Sequence, residues 1–331
     1  MTETIQDPSK RYTRREEISR TDRCIEYRAA DQNEGTEVLW HEFKLDPLDS
    51  ANKNLIEHIK TLGRTKHPNL INLYHAWLDK KKHIIYFLTE YFANQTLSSY
   101  VQNVGHNLTR TAIGNWCVQI MDALEFLHSM MPPFIHSDVS CQNIFIDPSE
   151  GIVKLGLPDL DMYLSNEIKP MQAPEAQEYV SDPKSDVWTL GMAVLEMITS
   201  KKPFSEAKTD IQLREAICSR SMPSEFLEID DPIIADFIQV CFLPLEQRPS
   251  ISQLRDHPLF AEIELNQDTG SQSTTDVQYR EISSDIKNMP EFTALLQRQK
   301  AEKQEILKKH DLQKMETRER IRQRLQNLGR L

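Results

Sequence analysis

No apolar run among these 331 residues approaches the roughly 20 needed to cross a bilayer. The opening segment, Met1–Lys10, has neither the basic start nor the apolar stretch of a secretory signal. These absences exclude a membrane span and leave the chain expected in the cytoplasm, with the nucleus as the other compartment open to it. The five cysteines, Cys24, Cys117, Cys141, Cys218 and Cys241, include no C-x-x-C spacing, the local signature of many zinc sites and redox pairs. No metal ligands and no disulfide framework are therefore expected, and the thiols should be reduced and mostly buried. Positive charge is short as well: 39 Lys and Arg stand against 50 Asp and Glu, a net charge of −11. That balance argues against wholesale nucleic-acid binding, where a basic surface supplies the affinity.

What the chain does hold is enough apolar residue, 39% of the total, to bury a sizeable core. Residues 1–11 are polar and expected to be flexible. Strand-like pieces at Cys24–Ala30 and Thr36–Phe43 flank Asp31–Gly35, which suits a hairpin turn. A helix is expected over Ala51–Leu62 and two more strands over Ile71–Leu78 and His83–Glu90. From Leu97 apolar residues recur at helical spacing, among them Trp116, Ile120, Leu124 and Leu127, and helices dominate to about Phe260. Residues 263–288 then turn polar, rich in Ser, Thr, Gln and Asp, and read as a linker. The tail, 289–331, is expected to be a basic helix, with 11 Lys and Arg against 6 Asp and Glu from residue 291 onward. Its apolar positions, Leu307, Met315, Ile321, Leu325 and Leu328, are sparse. They leave open a weak coiled coil or docking helix, through which the chain could self-associate, and a solvated single helix.

At the centre of the chain stands His136-Ser-Asp-Val-Ser-Cys-Gln-Asn143, between the helical Trp116–His128 and the strand-like Ile144–Ile146. It resembles the catalytic loop of protein kinases, H-R-D-L-x-x-x-N. In that family the Asp accepts the proton of the substrate hydroxyl and the Asn holds magnesium, and Asp138 and Asn143 stand at those places. Ser137 replaces the Arg, and Ser140 replaces the Lys that usually follows two residues after the Asp. Ala173-Pro-Glu175 is similar to the A-P-E that closes the activation segment. Ser185–Gly191 looks like the start of the family's central buried helix, where Asp186 would tie the catalytic-loop backbone, and Arg248 resembles the Arg that pairs with that Glu. Within the superfamily the chain most resembles the With-No-Lysine (WNK) kinases and the related nuclear-receptor-binding-protein pseudokinases. Thr36–Glu42, Thr89-Glu90 with Gln95–Leu97, and Trp116-Cys117 followed by Pro132–His136 carry this. The resemblance covers about 12–262 and implies an α+β, bilobal protein-kinase-like fold, followed by the linker and the C-terminal helix. The small β-rich lobe would span about 12–92 and the large helical lobe about 93–262.

The departures from the family's pattern fall on the parts that handle phosphate. Ser19–Glu26, which matches the Gly-rich loop, contains no glycine, although glycine is what lets backbone amides approach phosphates. Glu26 stands where the family has a Val over the adenine, and Leu39 where it has a small Ala. The strand Lys aligns with His41, the substitute Lys of WNK kinases with Cys24, and the helix Glu that would pair with the Lys with His58. The magnesium-binding Asp of D-F-G is Leu157, followed by Pro158 and Asp159. Taken together, these six positions imply that ATP and magnesium bind weakly or not at all, so neither cofactor nor small-molecule substrate is expected. Asp138 and Asn143 would then be vestigial base and metal positions that persist by holding their loop, and His136, Glu175, Asp186 and Arg248 would be structural. The function expected is a catalytically inactive scaffold or adaptor in signalling or trafficking, binding other proteins through its lobes and C-terminal helix. The alternative is an unconventional WNK-like protein serine/threonine kinase with weak ATP use, resting on Asp138 and Asn143.

Overall fold

The computed structural model describes residues 7–46, 52–92, 95–105, 108–158, 172–178 and 182–261. The linker and helix expected over 263–288 and 289–331 lie outside the described residues. Five antiparallel strands form one sheet in the order β1-β2-β3-β5-β4: β1 (Tyr12–Arg20), β2 (Cys24–Asp31), β3 (Glu37–Lys44), β4 (Leu73–Asp79) and β5 (Ile84–Glu90). The β2–β3 turn closes where expected, on Gly35 at φ +69°, a left-handed conformation that glycine adopts at no steric cost. Between β3 and β4 runs α1 (Asn52–Leu62), whose Leu55, Ile59 and Leu62 share a buried cluster with Phe43, Ile85 and Phe87 of the sheet. A second cluster, Tyr12, Ala29, Val38, Trp40, Tyr86 and Leu88, is separate from it, with Trp77 edge-on to Trp40 at 5.0 Å. Strands buried on two sides lose the alternation of a half-exposed strand and read as apolar runs, which is how Ile84–Glu90 reads.

The helical lobe comprises α2 (Leu97–Val104), α3 (Arg110–His128), α4 (Lys184–Thr199), α5 (Asp210–Cys218), α6 (Pro232–Cys241) and α7 (Ile251–Leu254). A two-stranded sheet, β6 (Ile144–Asp147) with β7 (Ile152–Leu155), completes it. Thr109 starts α3 as its N-cap, its side chain accepting from the Ala112 amide. Helix α4 is buried continuously from Ser185 to Met197, the burial expected of a helix that is apolar on every side. A Cβ on Gly191 would lie 2.5 Å from that of Cys241, so α4 and α6 touch where only glycine fits.

The two lobes are stitched together by the segment after α1. The Ile71 amide donates to Leu155 O (2.9 Å), the Leu155 amide to Asn69 O (2.8 Å), and Asn69 Nδ2 to Val153 O (2.9 Å). The architecture is thus α+β and bilobal, as the resemblance implied. Cys117, Cys141 and Cys241 are buried, Cys24 is half-buried and Cys218 exposed. Burial pushes the Cys117 thiol up to about 12, which leaves it protonated and inert. Among the described residues no helix is long and apolar enough to cross a membrane.

Candidate active site

A cavity of about 410 Å³ lies between the lobes. The sheet lines it with Ile18, Cys24, Glu26, Leu39 and His41, the connecting segment with Thr89 to Phe92, and the large lobe with Asn143, Phe145, Gly156 and Leu157. Five of the six positions assigned to a degenerate nucleotide site therefore converge on one cleft. The sixth, His58, turns to Phe134, edge-on with ring centroids 5.2 Å apart.

Beneath the cleft the loop Phe134–Asn143 is held by α4. Asp186 is fully buried and its carboxylate accepts from the His136 amide (2.8 Å), the Ser137 amide (2.6 Å) and His128 Nε2 (2.8 Å). These bonds keep Ser137 at φ +64°, a region side chains avoid. His136, also fully buried, accepts from the Asp138 amide at Nδ1 (3.3 Å), so its proton sits on Nε2 and donates to Gly156 O (2.9 Å). The imidazole thereby bridges the loop and the end of β7.

Asn143 is drawn onto Asp138 by the same economy of bonds. Its Nδ2 donates to Leu157 O (2.6 Å), Asp138 O (3.1 Å) and Asp138 Oδ2 (3.2 Å), and its Oδ1 packs against Gly156. Room for that amide exists because residue 156 is glycine: a Cβ there would fall 2.1 Å from Asn143 Oδ1 and 2.9 Å from Asn143 O. Leu157 stands in the cleft wall and offers the site only its backbone oxygen.

On the opposite wall, Glu26 and His41 face each other across the β2–β3 pair, with His41 Nδ1 3.2 Å from Glu26 Oε1. The His41 hydrogen bond outweighs burial and holds the Glu26 carboxyl below its usual range. His41 Nε2 lies 3.0 Å from Thr89 Oγ1, and the ring stacks on Phe87 at 4.4 Å. Sequence reasoning treated Glu26 and His41 as two separate defects. Their pairing was nonetheless implicit in the hairpin register, since a turn centred on Asp31–Thr36 sets 26 against 41. A second feature missed was Lys154, which reaches from β7 to Glu90 of the connecting segment at 2.5 Å.

Glu175 and Arg248 lie away from the cleft. Arg248 is buried, binds both carboxylate oxygens of Glu175 and donates from Nη1 to Lys184 O (2.9 Å). Burial alone would raise the Glu175 carboxyl. The hydrogen bonds and charge of Arg248 more than offset it, so it lies below its usual range.

The model of the protein kinase domain family matches residues 25–260. The chain is 32% identical over 266 residues to serine/threonine-protein kinase WNK8 of Arabidopsis thaliana, covering 77% of this chain and 47% of the relative. It is 31% identical over 273 residues to probable serine/threonine-protein kinase WNK10 of the same plant, 77% of this chain and 51% of the relative. To probable serine/threonine-protein kinase WNK9 of Oryza sativa subsp. japonica it is 32% identical over 260 residues, 75% of this chain and 62% of the relative. The chain thus spans about half the length of the first two of these curated relatives.

These similarities overturn three linked expectations: an inactive scaffold, a chain that is not an enzyme, and a site without ATP or magnesium. Relatives of this likeness are named as serine/threonine-protein kinases. The expectation rested on substitutions such as those at Cys24, His41 and Leu157, and gave too little weight to the parts that remain. The cleft, Asp138, Asn143 and the Asp186 brace beneath them are in place.

Proposed function

This chain belongs to the protein kinase domain family, and from that premise we propose that it is a WNK-like protein serine/threonine kinase that uses ATP with magnesium. The observation that carries the proposal is Asp138 joined to Asn143 beside an inter-lobe cavity of about 410 Å³, a volume suited to a small organic ligand. A half-turn of the Asn143 amide would set Oδ1 beside the Asp138 carboxylate, and both are hard oxygens, the donor class magnesium prefers. Asn143 would hold the ion, which when bound neutralises charge on the phosphates. Asp138 accepts the proton of a serine or threonine hydroxyl as that oxygen attacks. Asp186 and His136 fix the backbone from which Asp138 projects, so the base is positioned before a substrate arrives. The chain is unconventional because His41, not a lysine, faces the cleft from β3.

Finer statements belong to the same proposal. Kinship with the nuclear-receptor-binding-protein group rests on Thr36–Glu42, Thr89-Glu90 with Gln95–Leu97, and Trp116-Cys117 followed by Pro132–His136. The substrate is a protein bearing a hydroxyl side chain. Residues 289–331 bind other proteins or a second copy, tethered by 263–288 outside the 12–262 kinase unit. A cytoplasmic site of action is supported by the buried, unbridged thiols of Cys117, Cys141 and Cys241. The test is a thermal melt with ATP and magnesium: saturation at 100 times the dissociation constant stabilises by about 2.7 kcal/mol. An unmoved melting temperature at millimolar nucleotide would contradict the proposal.

A further inference from the structure

Three side chains on one face of the β2–β3 hairpin are arranged as metal ligands that a kinase active site does not call for. Glu26 is paired with His41 in the hairpin register, and Cys24 lies two residues before Glu26, hence on the same face. Cys24 Sγ, a Glu26 carboxylate oxygen and a His41 ring nitrogen all fall within 4.8 Å of one another. Zinc bonds of about 2.0–2.3 Å at tetrahedral angles set ligand atoms roughly 3.3–3.7 Å apart. His41 Nδ1 and Glu26 Oε1, 3.2 Å apart, are already close to that spacing. No pair needs to close by more than about 1 Å, within reach of a side-chain rotation.

The atoms that would face away from an ion are already engaged. His41 Nε2 meets Thr89 Oγ1 at 3.0 Å while Phe87 stacks on the ring, and Ser19 Oγ donates to Glu26 Oε2 at 2.8 Å. Outer partners of this kind fix the tautomer and the aim of a metal-bound imidazole or carboxylate. Once an ion displaces the proton between Nδ1 and Glu26, Nε2 keeps its proton for Thr89 and Nδ1 turns its lone pair to the ion. All three residues line the cleft.

We propose that Cys24, Glu26 and His41 bind a zinc-class divalent cation through sulfur, oxygen and nitrogen, with the fourth coordination position open to the nucleotide cleft. Binding releases the Cys24 thiol proton and any proton shared between His41 and Glu26. The ion's two positive charges then balance the thiolate and the carboxylate. A bare Glu26 carboxylate would repel an incoming phosphate, whereas the bound ion cancels that charge and offers a vertex for a phosphate oxygen. His41 and Cys24 stand where the family resemblance puts the strand lysine and its WNK substitute, so the ion takes over the place of a missing cation. That consequence rests on the kinase reading; the binding of the ion does not. The absence of C-x-x-C spacing did not bear on such a site, because its ligands come from two strands.

The test is titration of the full, metal-stripped chain with cobalt(II), then displacement by zinc. The expected result is one equivalent per chain, with a thiolate-to-cobalt charge-transfer band and tetrahedral d–d absorption, both abolished in Cys24→Ser. Thr89→Val, which leaves all three ligands intact, weakens binding about 10–100-fold. Melts of both variants without metal confirm that they are folded. No charge-transfer band in the parent chain overturns the proposal, and so does a band that survives Cys24→Ser, which would put the ion at another thiol. Melts with ATP and magnesium, on zinc-loaded and stripped protein, separate the two claims. An ATP shift larger with zinc supports the role toward phosphate. Zinc bound with no ATP shift in either form leaves the metal site standing and overturns both that role and the kinase reading.

Discussion

Asp186 shows how one buried side chain sets the geometry of a loop fifty residues away. Its carboxylate satisfies two backbone amides and His128, and removing it would orphan the fully buried His136 amide and the half-buried donors of Ser137 and His128. Asp186→Ala should therefore cost about 3 kcal/mol or more, at 1–3 kcal/mol for each buried donor left unpaired, measured by urea unfolding. Glu196 on the same helix works in the other direction. It is buried, accepts from Ser98 Oγ at 2.8 Å, and burial raises its carboxyl above the usual range despite that bond. A raised acid means that, as pH climbs past the ordinary glutamate range, the unfolded chain gives up its proton first and stability falls. Gln keeps the acceptor for Ser98 and never ionises, so Glu196→Gln should raise the melting temperature at pH 7 and have little effect near pH 4. Glu175 has the opposite sign. Its lowered value means that the contribution of its pair with Arg248 is present above the ordinary glutamate range and is lost as pH falls through the folded value.

At the scale of elements, the end of β7 meets the catalytic loop at Gly156, and the contact tolerates no side chain. Gly156→Ala puts a Cβ 2.1 Å from Asn143 Oδ1, so Asn143 must leave Asp138. The expected outcome is a loss of at least about 10-fold in phosphate transfer with a destabilisation of roughly 1–3 kcal/mol, read by kinetics and a melt. The sequence made the inner strands and α1 legible because their burial leaves apolar runs or a helical stripe. Strand β1 was not legible. It is the edge of the sheet, largely exposed and rich in charge over Arg14–Glu17, where charge guards against stray pairing and erases the strand pattern. Its hairpin with β2 closes on Thr21, whose amide donates to Cys24 O (2.8 Å) and whose Oγ1 accepts from the Cys24 amide (2.9 Å). The stretch aligned with a Gly-rich loop is thus a tight side-chain-capped turn. Motif alignment reported what was missing there and could not report what had taken its place, such as Glu26 against His41.

Over the whole molecule, a single buried cluster runs from Phe43 and Leu55 in the small lobe through Leu70 and Leu155 to Leu190 and Phe237 in the large one. Lys154 adds an ion pair across the cleft's rear to Glu90 and lies 6.0 Å from the Phe92 ring centroid. Bilobal architecture and the placing of Asp138, Asn143, Glu175, Asp186 and Arg248 were legible because each sits in a motif whose spacing is fixed by a turn or a helix start. The expectation of inactivity was read from substituted positions one at a time, and it is the likeness to proteins named as serine/threonine-protein kinases that overturns it. The most direct test of the account is transfer of the terminal phosphate of ATP to protein serine or threonine, comparing the parent chain with Asp138→Asn. The substitution preserves shape and removes the proton acceptor. The account predicts measurable transfer by the parent and a fall of about 10²–10⁴-fold in the variant, with the two melting temperatures alike. No transfer by the parent chain, or transfer undiminished in Asp138→Asn, would contradict it.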